Sequence, residues 1–221
     1  KSVTFESIRI EVNMENVSAY YCGFQTKLSY LNDLESGYIL ESIPYKTPYT
    51  TPLSYSGSVT SFQADFSDIL IEPGQSYVLW FVPQKSGGSY TKEDIVYVET
   101  MTKAYTAGGT KEVYYSNLKT DKTSISVQLS SPGAGHIYCQ LLSTEQISRY
   151  SSEDELIDML LEPGGQSTVF DKESDIFERK FLKPGANMTL IALAIDRAGK
   201  YGPLFMEEFY TQPIPYNSIK V

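Results

Sequence analysis

Apolar and polar positions alternate in two places far apart in the chain. Ser7-Ile8-Arg9-Ile10-Glu11-Val12 is followed by Tyr20-Tyr21-Cys22-Gly23-Phe24. Ser124-Ile125-Ser126-Val127-Gln128-Leu129 is followed by Ile137-Tyr138-Cys139-Gln140-Leu141. The two sets are 117 residues apart, and six apolar positions coincide at that shift: 8/125, 10/127, 12/129, 20/137, 22/139 and 24/141. A period of two marks a strand with one buried face. Turn-type residues separate the strands, over Asn13–Ala19 in the first copy and Ser130–His136 in the second.

A second block matches at a shift of 111: Phe66, Leu70, Ile71, Pro73, Gly74 and Leu79 fall on Phe177, Phe181, Leu182, Pro184, Gly185 and Leu190. The difference of six residues reads as a loop insertion in the first copy. Two ungapped blocks in one order predict tandem domains, 1–104 and 105–221. Thr106-Ala107-Gly108-Gly109-Thr110, at the boundary, is small and polar, as a linker is. Tyr77–Val82 and Met188–Ile195 are apolar runs fit for core strands, and Ile95–Met101 and Leu204–Thr211 supply closing strands. With turns recurring roughly every 8–12 residues, the expected class is all-β, two sandwiches in series.

One helix is legible, near 152–161. Ser152-x-x-Glu155 forms a capping box, and Glu153, Asp154 and Glu155 sit where the helix dipole favours anions. Leu156, Ile157, Leu160 and Leu161 make one apolar face, and Pro163-Gly164 stops it. Lying between two β blocks, it is expected to cap an open end or edge of the second sandwich. The matching stretch of the first copy, Tyr30–Ile43, has no assignable pattern. Lys111–Ser116 reads as a first strand of the second copy; its match in the first would fall at or before Lys1. The first copy is therefore expected to lack part of its first strand, which something upstream would supply.

Ile71-Glu72-Pro73-Gly74-Gln75-Ser76-Tyr77 resembles the fibronectin type III pattern, an apolar residue, any residue, Pro-Gly, two residues, then Tyr. The resemblance implies that the Pro-Gly turn leads into a core strand and that the Tyr hydrogen-bonds back across the corner. In the second copy Met188 replaces the Tyr, so that corner is expected to be absent there. The core Trp usual in the second strand is missing, with Val12 and Leu129 at that place. The stretch Ala192–Pro203, a strand ending in Asp and then a Gly-containing turn, is similar to tandem fibronectin-type domains of secreted lipoproteins from Bacteroides-type gut bacteria. The inserted acidic helix fits that group. The resemblance implies immunoglobulin-like sandwiches in an extracytoplasmic protein, held at the outer membrane or cell surface by a lipid anchor outside this chain. It brings no catalytic residues with it.

Composition narrows the chemistry. The chain of 221 residues carries 18 Lys+Arg against 27 Asp+Glu, for a net charge of −9. An acidic chain repels phosphate backbones, which argues against nucleic acid. The acid is spread over both halves, as on a solvated surface. No apolar run approaches the roughly 20 residues a membrane span needs. The chain opens at Lys1 with neither Met nor a signal-peptide pattern, as a processed or trimmed chain does. Cys22 and Cys139 hold equivalent inward positions of different copies, so no disulfide is expected and both read as small buried hydrophobes.

With one His, multi-histidine metal sites are excluded. His136 sits in a predicted turn and reads as a surface residue. Asp171/Glu173/Asp175 read as the solvent face of a strand, and Asp65/Asp68 lack the spacing of a calcium loop. Gly87-Gly88 reads as a hairpin turn, not a phosphate cradle, and Trp80 as core or domain packing. No catalytic residue, metal ligand or cofactor is predicted. What stands out is the 18 Tyr. Tyr21/Tyr138 and Tyr90/Tyr201 are copied positions and belong to the fold. Pro44-Tyr45-Lys46-Thr47-Pro48-Tyr49-Thr50-Thr51-Pro52-Leu53-Ser54-Tyr55 has no counterpart in the second copy, and its prolines exclude a central strand. Tyr45, Tyr49 and Tyr55 are the candidate ligand-binding residues, because a tyrosine ring gives a large amphipathic contact at low entropy cost. The alternative is that they cover a sheet edge. The expected function is a non-enzymatic surface binding or adhesion module for a glycan or a cell-surface protein. A structural spacer presenting an upstream domain is the alternative, and a glycoside hydrolase part the remote one.

Overall fold

A computed structural model describes residues 2–3, 7–12, 17–50, 53–58, 63–64, 67–68 and 71–214. For 2–12 and 53–68 only backbone placement is described, Ile8 excepted. The chain divides into two compact units, Lys1–Ala104 and Tyr105–Val221.

In the second unit β10 (Tyr114–Thr120), β11 (Ser124–Ser130) and β14 (Ser174–Lys180) form one sheet in the order β10-β11-β14. The other runs β13 (Thr168–Phe170), β12 (Ala134–Ser143), β15 (Asn187–Asp196), with β17 (Phe205–Tyr210) also on β15. Alternation dictates what lies between them. Ile125, Val127, Leu129, Ile137, Cys139, Leu190, Ala192 and Ala194 are fully buried in one cluster with Phe177.

The first unit repeats this frame. β1 (Ser2–Val3), β2 (Ser7–Val12) and β4 (Leu53–Ser58) make one sheet; β3 (Tyr20–Thr26), β7 (Ser76–Pro83) and β8 (Val96–Met101) make the other. β5 (Gln63–Ala64) and β6 (Ser67–Asp68) form a separate hairpin. Ile8, Tyr20, Cys22, Phe24, Ile71, Tyr77 and Leu79 form the core. Pairing reproduces the sequence shifts: Cys22 faces Phe81 as Cys139 faces Ala192, and Phe24 faces Leu79 as Leu141 faces Leu190. The proposed match of Phe66 to Phe177 does not hold. Val127 faces Phe177, and the equivalent Ile10 faces Tyr55, so Tyr55 holds the register position of Phe177. Phe66 itself lies outside the described residues, as does Leu70. The reason is that β4 and β7 are joined by a longer connection than β14 and β15, one that carries the β5–β6 hairpin. A single shift cannot span both.

The second unit's helix α4 spans Glu153–Leu161. Ser152 Oγ accepts from the Glu155 N–H at 3.3 Å, as the cap requires. The return half of the box differs, because Glu155 Oε2 accepts from Ser151 N at 2.6 Å rather than from Ser152. Leu156, Ile157 and Leu160 are buried against β12 and β15. These are inner strands of their sheet, so α4 covers a sheet face rather than the expected end or edge. Ile191, Leu193 and Ile195, on the face opposite the core, are buried too. Both faces being covered, β15 reads as a near-continuous apolar run.

The first unit uses the same device, which the sequence pattern hid. α1 (Lys27–Ser36) and α2 (Tyr38–Ser42) follow β3, as a one-turn helix α3 (Thr144–Ile147) and then α4 follow β12. Thr26 caps α1 through the Ser29 N–H, and Gly37 ends it at φ +84°. Tyr30, Ile39 and Ile43 pack on Tyr21, Val78, Trp80 and Val82, the outer face of β3–β7. α1 buries Tyr30 but leaves Leu28 and Leu31 exposed, so no clean stripe marked it.

The Pro-Gly corners agree in detail. Gly74 and Gly185 have φ +72° and +68°, conformations that a side chain resists. Tyr77 Oη accepts from the Glu72 N–H at 2.8 Å, closing the tyrosine corner in the first unit, and burial pushes its pKa up to about 12. A threonine locks both corners. Thr102 Oγ1 donates to the Glu72 carbonyl at 2.6 Å and accepts from Gln75 N at 2.9 Å. Thr211 Oγ1 does the same to Lys183 and Ala186, at 2.7 and 2.8 Å. The small polar stretch at the boundary is not free. β9 (Thr106–Ala107) pairs in parallel with β16 (Lys200–Tyr201). A Cβ on Gly109 would meet the Lys200 carbonyl oxygen at 2.6 Å, so glycine here permits close backbone approach.

Candidate binding surface

The tyrosine-rich stretch leaves the outer face of β3–β7 through a 3-10 turn, Ile43–Tyr45, with Pro44 inside it. Three contacts fix the segment. Ile43 is buried in the layer under the helices. Lys46 places its ammonium 5.2 Å from the centre of the Trp80 ring, a cation–π geometry. Tyr49 bridges Tyr20 through two backbone hydrogen bonds of 2.9 and 2.7 Å, and their rings stack at 5.7 Å. Between these anchors Tyr45 is 89% exposed. Tyr55 lies on β4, an outer strand of its sheet among the described residues. The three candidates thus have different settings: Tyr45 faces solvent, Tyr49 is partly buried against the core, and Tyr55 is a strand residue.

Trp80 is core, as expected, within the layer beneath α1 and α2. It stands opposite Gly23, where a Cβ would come within 2.5 Å of the indole. The glycine inside an otherwise apolar strand was the available signal for this pairing.

His136 corrects the sequence reading. It is a buried residue of β12, and its Nδ1 lies 2.9 Å from Asp171 Oδ1. The turn ends at Gly133, so the strand starts before the histidine. A carboxylate only accepts, which makes Nδ1 the protonated nitrogen. Asp175 pairs with Lys172 at 2.8 Å, and that ammonium holds its carboxyl below the usual range. Asp65 lies outside the described residues, and Asp68 is described only by its place in β6. Cys22 and Cys139 are thiols buried in separate units, not joined by a disulfide, and burial pushes the Cys139 thiol up to about 12. Among the described residues no group of three His, Cys, Asp or Glu is placed to hold a metal ion. Gly87-Gly88 lies in the β7–β8 connection, with Gly88 at φ +64°. The second unit has a groove of about 540 Å³ beside the start of α4, with Tyr150, Leu156, Thr189, Met206 and Glu208 in its walls. Its walls come from α3, α4, β15, β17 and the connection between the two helices, which left no local sequence signal.

No protein-family model matches the chain, and no curated protein matches it. Solved structures do. A two-domain fibronectin type III segment of chicken tenascin is 10% identical, over 96% of this chain and 95% of that one, with a TM-score of 0.30. The FN1–FN3 domains of chicken CNTN1 are 12% identical, over 95% of this chain and 64% of that one, with a TM-score of 0.34. The strand order carries the fold reading: first, second and fifth strands in one sheet, and third, fourth, sixth and seventh in the other, for the main strands of the second unit. Each unit is a fibronectin type III-like sandwich. In both, helices inserted after the third main strand cover the second sheet.

Proposed function

We propose that the chain is a non-catalytic binding module of an extracytoplasmic, surface-associated protein, and that residues 45–55 carry its contact surface for a glycan or a cell-surface protein. The observation behind this reading is the setting of Tyr45. An aromatic ring stands in solvent on a segment already fixed by Ile43, Lys46 and Tyr49. Such a ring binds without a further ordering cost, which favours affinity. Tyr49 acts as support, and Tyr55 follows on β4. Membrane attachment would come through a lipid anchor outside these residues; no helix among the described residues is long and apolar enough to cross a membrane.

The test is a screen of glycans, polysaccharides and cell-surface proteins with the wild-type chain and Tyr45→Ala. Binding that falls at least tenfold in the variant, with an unchanged unfolding transition, is the expected result. A spacer would bind nothing in that screen, and binding indifferent to Tyr45→Ala would move the surface elsewhere.

A further inference from the structure

The groove beside the start of α4 lies on the outer face of the second unit's larger sheet. Its floor is β15 and β17, where Thr189 stands opposite Glu208. Ile147, Tyr150 and Leu156, from α3, the connection and α4, form one wall. Its volume of about 540 Å³ is within the range of small-molecule sites. Three carboxylates meet in it, Glu153 from α4 and Glu207 and Glu208 from β17. No Lys, Arg or His lines it, and among the described residues none of the three has an ion-pair partner. Glu207 Oε1 accepts from the Tyr115 hydroxyl at 3.3 Å and Glu208 Oε2 from Asn187 Nδ2 at 3.5 Å, both neutral donors. The negative charge is left uncompensated.

The positive end of α4 does not offset it. Ser152 Oγ already takes the Glu155 N–H, and Glu153, Asp154 and Glu155 fill the first turn. Thr189 is an independent sign of a ligand. It is 6% exposed, and its hydroxyl has no hydrogen-bond partner among the described residues. A buried hydroxyl left unpaired costs free energy, and this one lines the groove. The described chain does not fill the space. After β17, Gln212 donates from its N–H to the Asp121 carbonyl and from Nε2 to the Thr120 carbonyl, both at 3.1 Å. The chain thus leaves toward the opposite sheet, away from the face that carries the groove.

We propose that this groove binds a small organic cation, an arylalkylammonium. Its ammonium faces the Glu153 and Glu208 carboxylates and donates to Thr189 Oγ1. Its ring and methylenes lie against Tyr150, Leu156 and Met206. Carboxylates attract the charge, and the half-buried Tyr150 ring adds cation–π attraction. An anion would meet three carboxylates. A bare metal ion fits poorly, because among the described residues no group of three His, Cys, Asp or Glu is placed to hold one. The apolar wall calls for carbon beside the charge. The site lies in the second unit and does not rest on the Tyr45 surface.

The probe is phenethylammonium, titrated into the isotope-labelled chain and followed by NMR. Saturable shifts are expected at Tyr150, Thr189 and Met206, with a dissociation constant below about 20 mM. Glu153→Gln with Glu208→Gln, at exposed positions, should weaken binding at least fivefold. Thr189→Val keeps the side-chain shape and should weaken it at least threefold, with the unfolding transition still cooperative. 2-Phenylethanol, similar in shape but uncharged, should bind at least tenfold more weakly. The proposal is overturned by no saturable binding up to about 20 mM. It is also overturned if 2-phenylethanol binds as tightly as the ammonium, or if binding ignores the double variant or Thr189→Val.

Discussion

On the outer side of the second sheet, the first unit sets Gly23 opposite Trp80, and the second sets Gln140 opposite Ile191. The register is shared, yet the volume is divided in opposite ways. In the first unit the indole lies across the strand and the helices close over it, with no space left for a Cβ at position 23. In the second, an ordinary side chain fits, and α4 brings Leu156, Ile157 and Leu160 to β12 and β15. The inner faces differ less: Cys22 and Cys139, Phe24 and Leu141, Leu79 and Leu190 occupy matching places. The core-facing pattern was therefore copied as a unit, whereas the helical layer was packed separately in each copy.

The strongest way to break this comparison is through the shared core. Leu79→Ala and Leu190→Ala remove fully buried side chains from equivalent places. Each should cost about 2–5 kcal/mol in the unfolding of its own unit, measured by chemical denaturation. A large inequality would mean that the cores relax differently despite their common register. Next comes the outer layer. Gly23→Ala drives a methyl into the indole and should cost about 1–3 kcal/mol, while Gln140→Ala should cost under about 1 kcal/mol. Equal effects would show that Trp80 can move aside.

The corner locks should behave alike. Thr102→Val and Thr211→Val each leave a buried carbonyl and N–H without their hydroxyl partner, for about 1–3 kcal/mol in each unit. Tyr77→Phe should add a further loss in the first unit alone, where the tyrosine corner exists. The smallest effect is one of pH. Lys85 and the Thr91 N–H hold the Asp94 carboxylate at 2.6 and 2.8 Å, and hold its pKa below the ordinary value. Its contribution to the β7–β8 connection is present above the unfolded pKa and fades as pH falls through the folded one. Carboxyl chemical shifts against pH should place Asp94 below a free aspartate, and Lys85→Met should raise it.

Much of the frame was legible because period-two alternation and turn chemistry act locally. Ile125–Leu129 and Ile137–Leu141 needed no partner to be recognised, and α4 carried its own cap, stripe and stop. What stayed hidden was decided by distant parts of the chain. α1 reads poorly because Leu28 and Leu31 face outward, and its docking depends on Tyr30 meeting Tyr97, with ring centroids 5.3 Å apart. His136 reads as a turn residue because the glycines before it blur where β12 begins; its side-chain partner is Asp171, 35 residues on. Phe66 was mispaired because the connection before the corner varies in length independently of the corner. Of the candidate surface, the sequence pointed to the stretch but could not say that Tyr49 is tied to Tyr20 while Tyr45 is left to solvent.

The two buried thiols give the molecule a pair of internal clocks. Each unit carries one cysteine, fully shielded and on the third main strand, next to its sheet's central partner. A thiol-reactive probe reaches neither until its own unit opens, and the high pKa of Cys139 slows reaction further at neutral pH. Single-cysteine variants therefore time the opening of each unit separately, in one intact chain and without an added label. The two rates, read side by side in one chain, tell which unit opens more often.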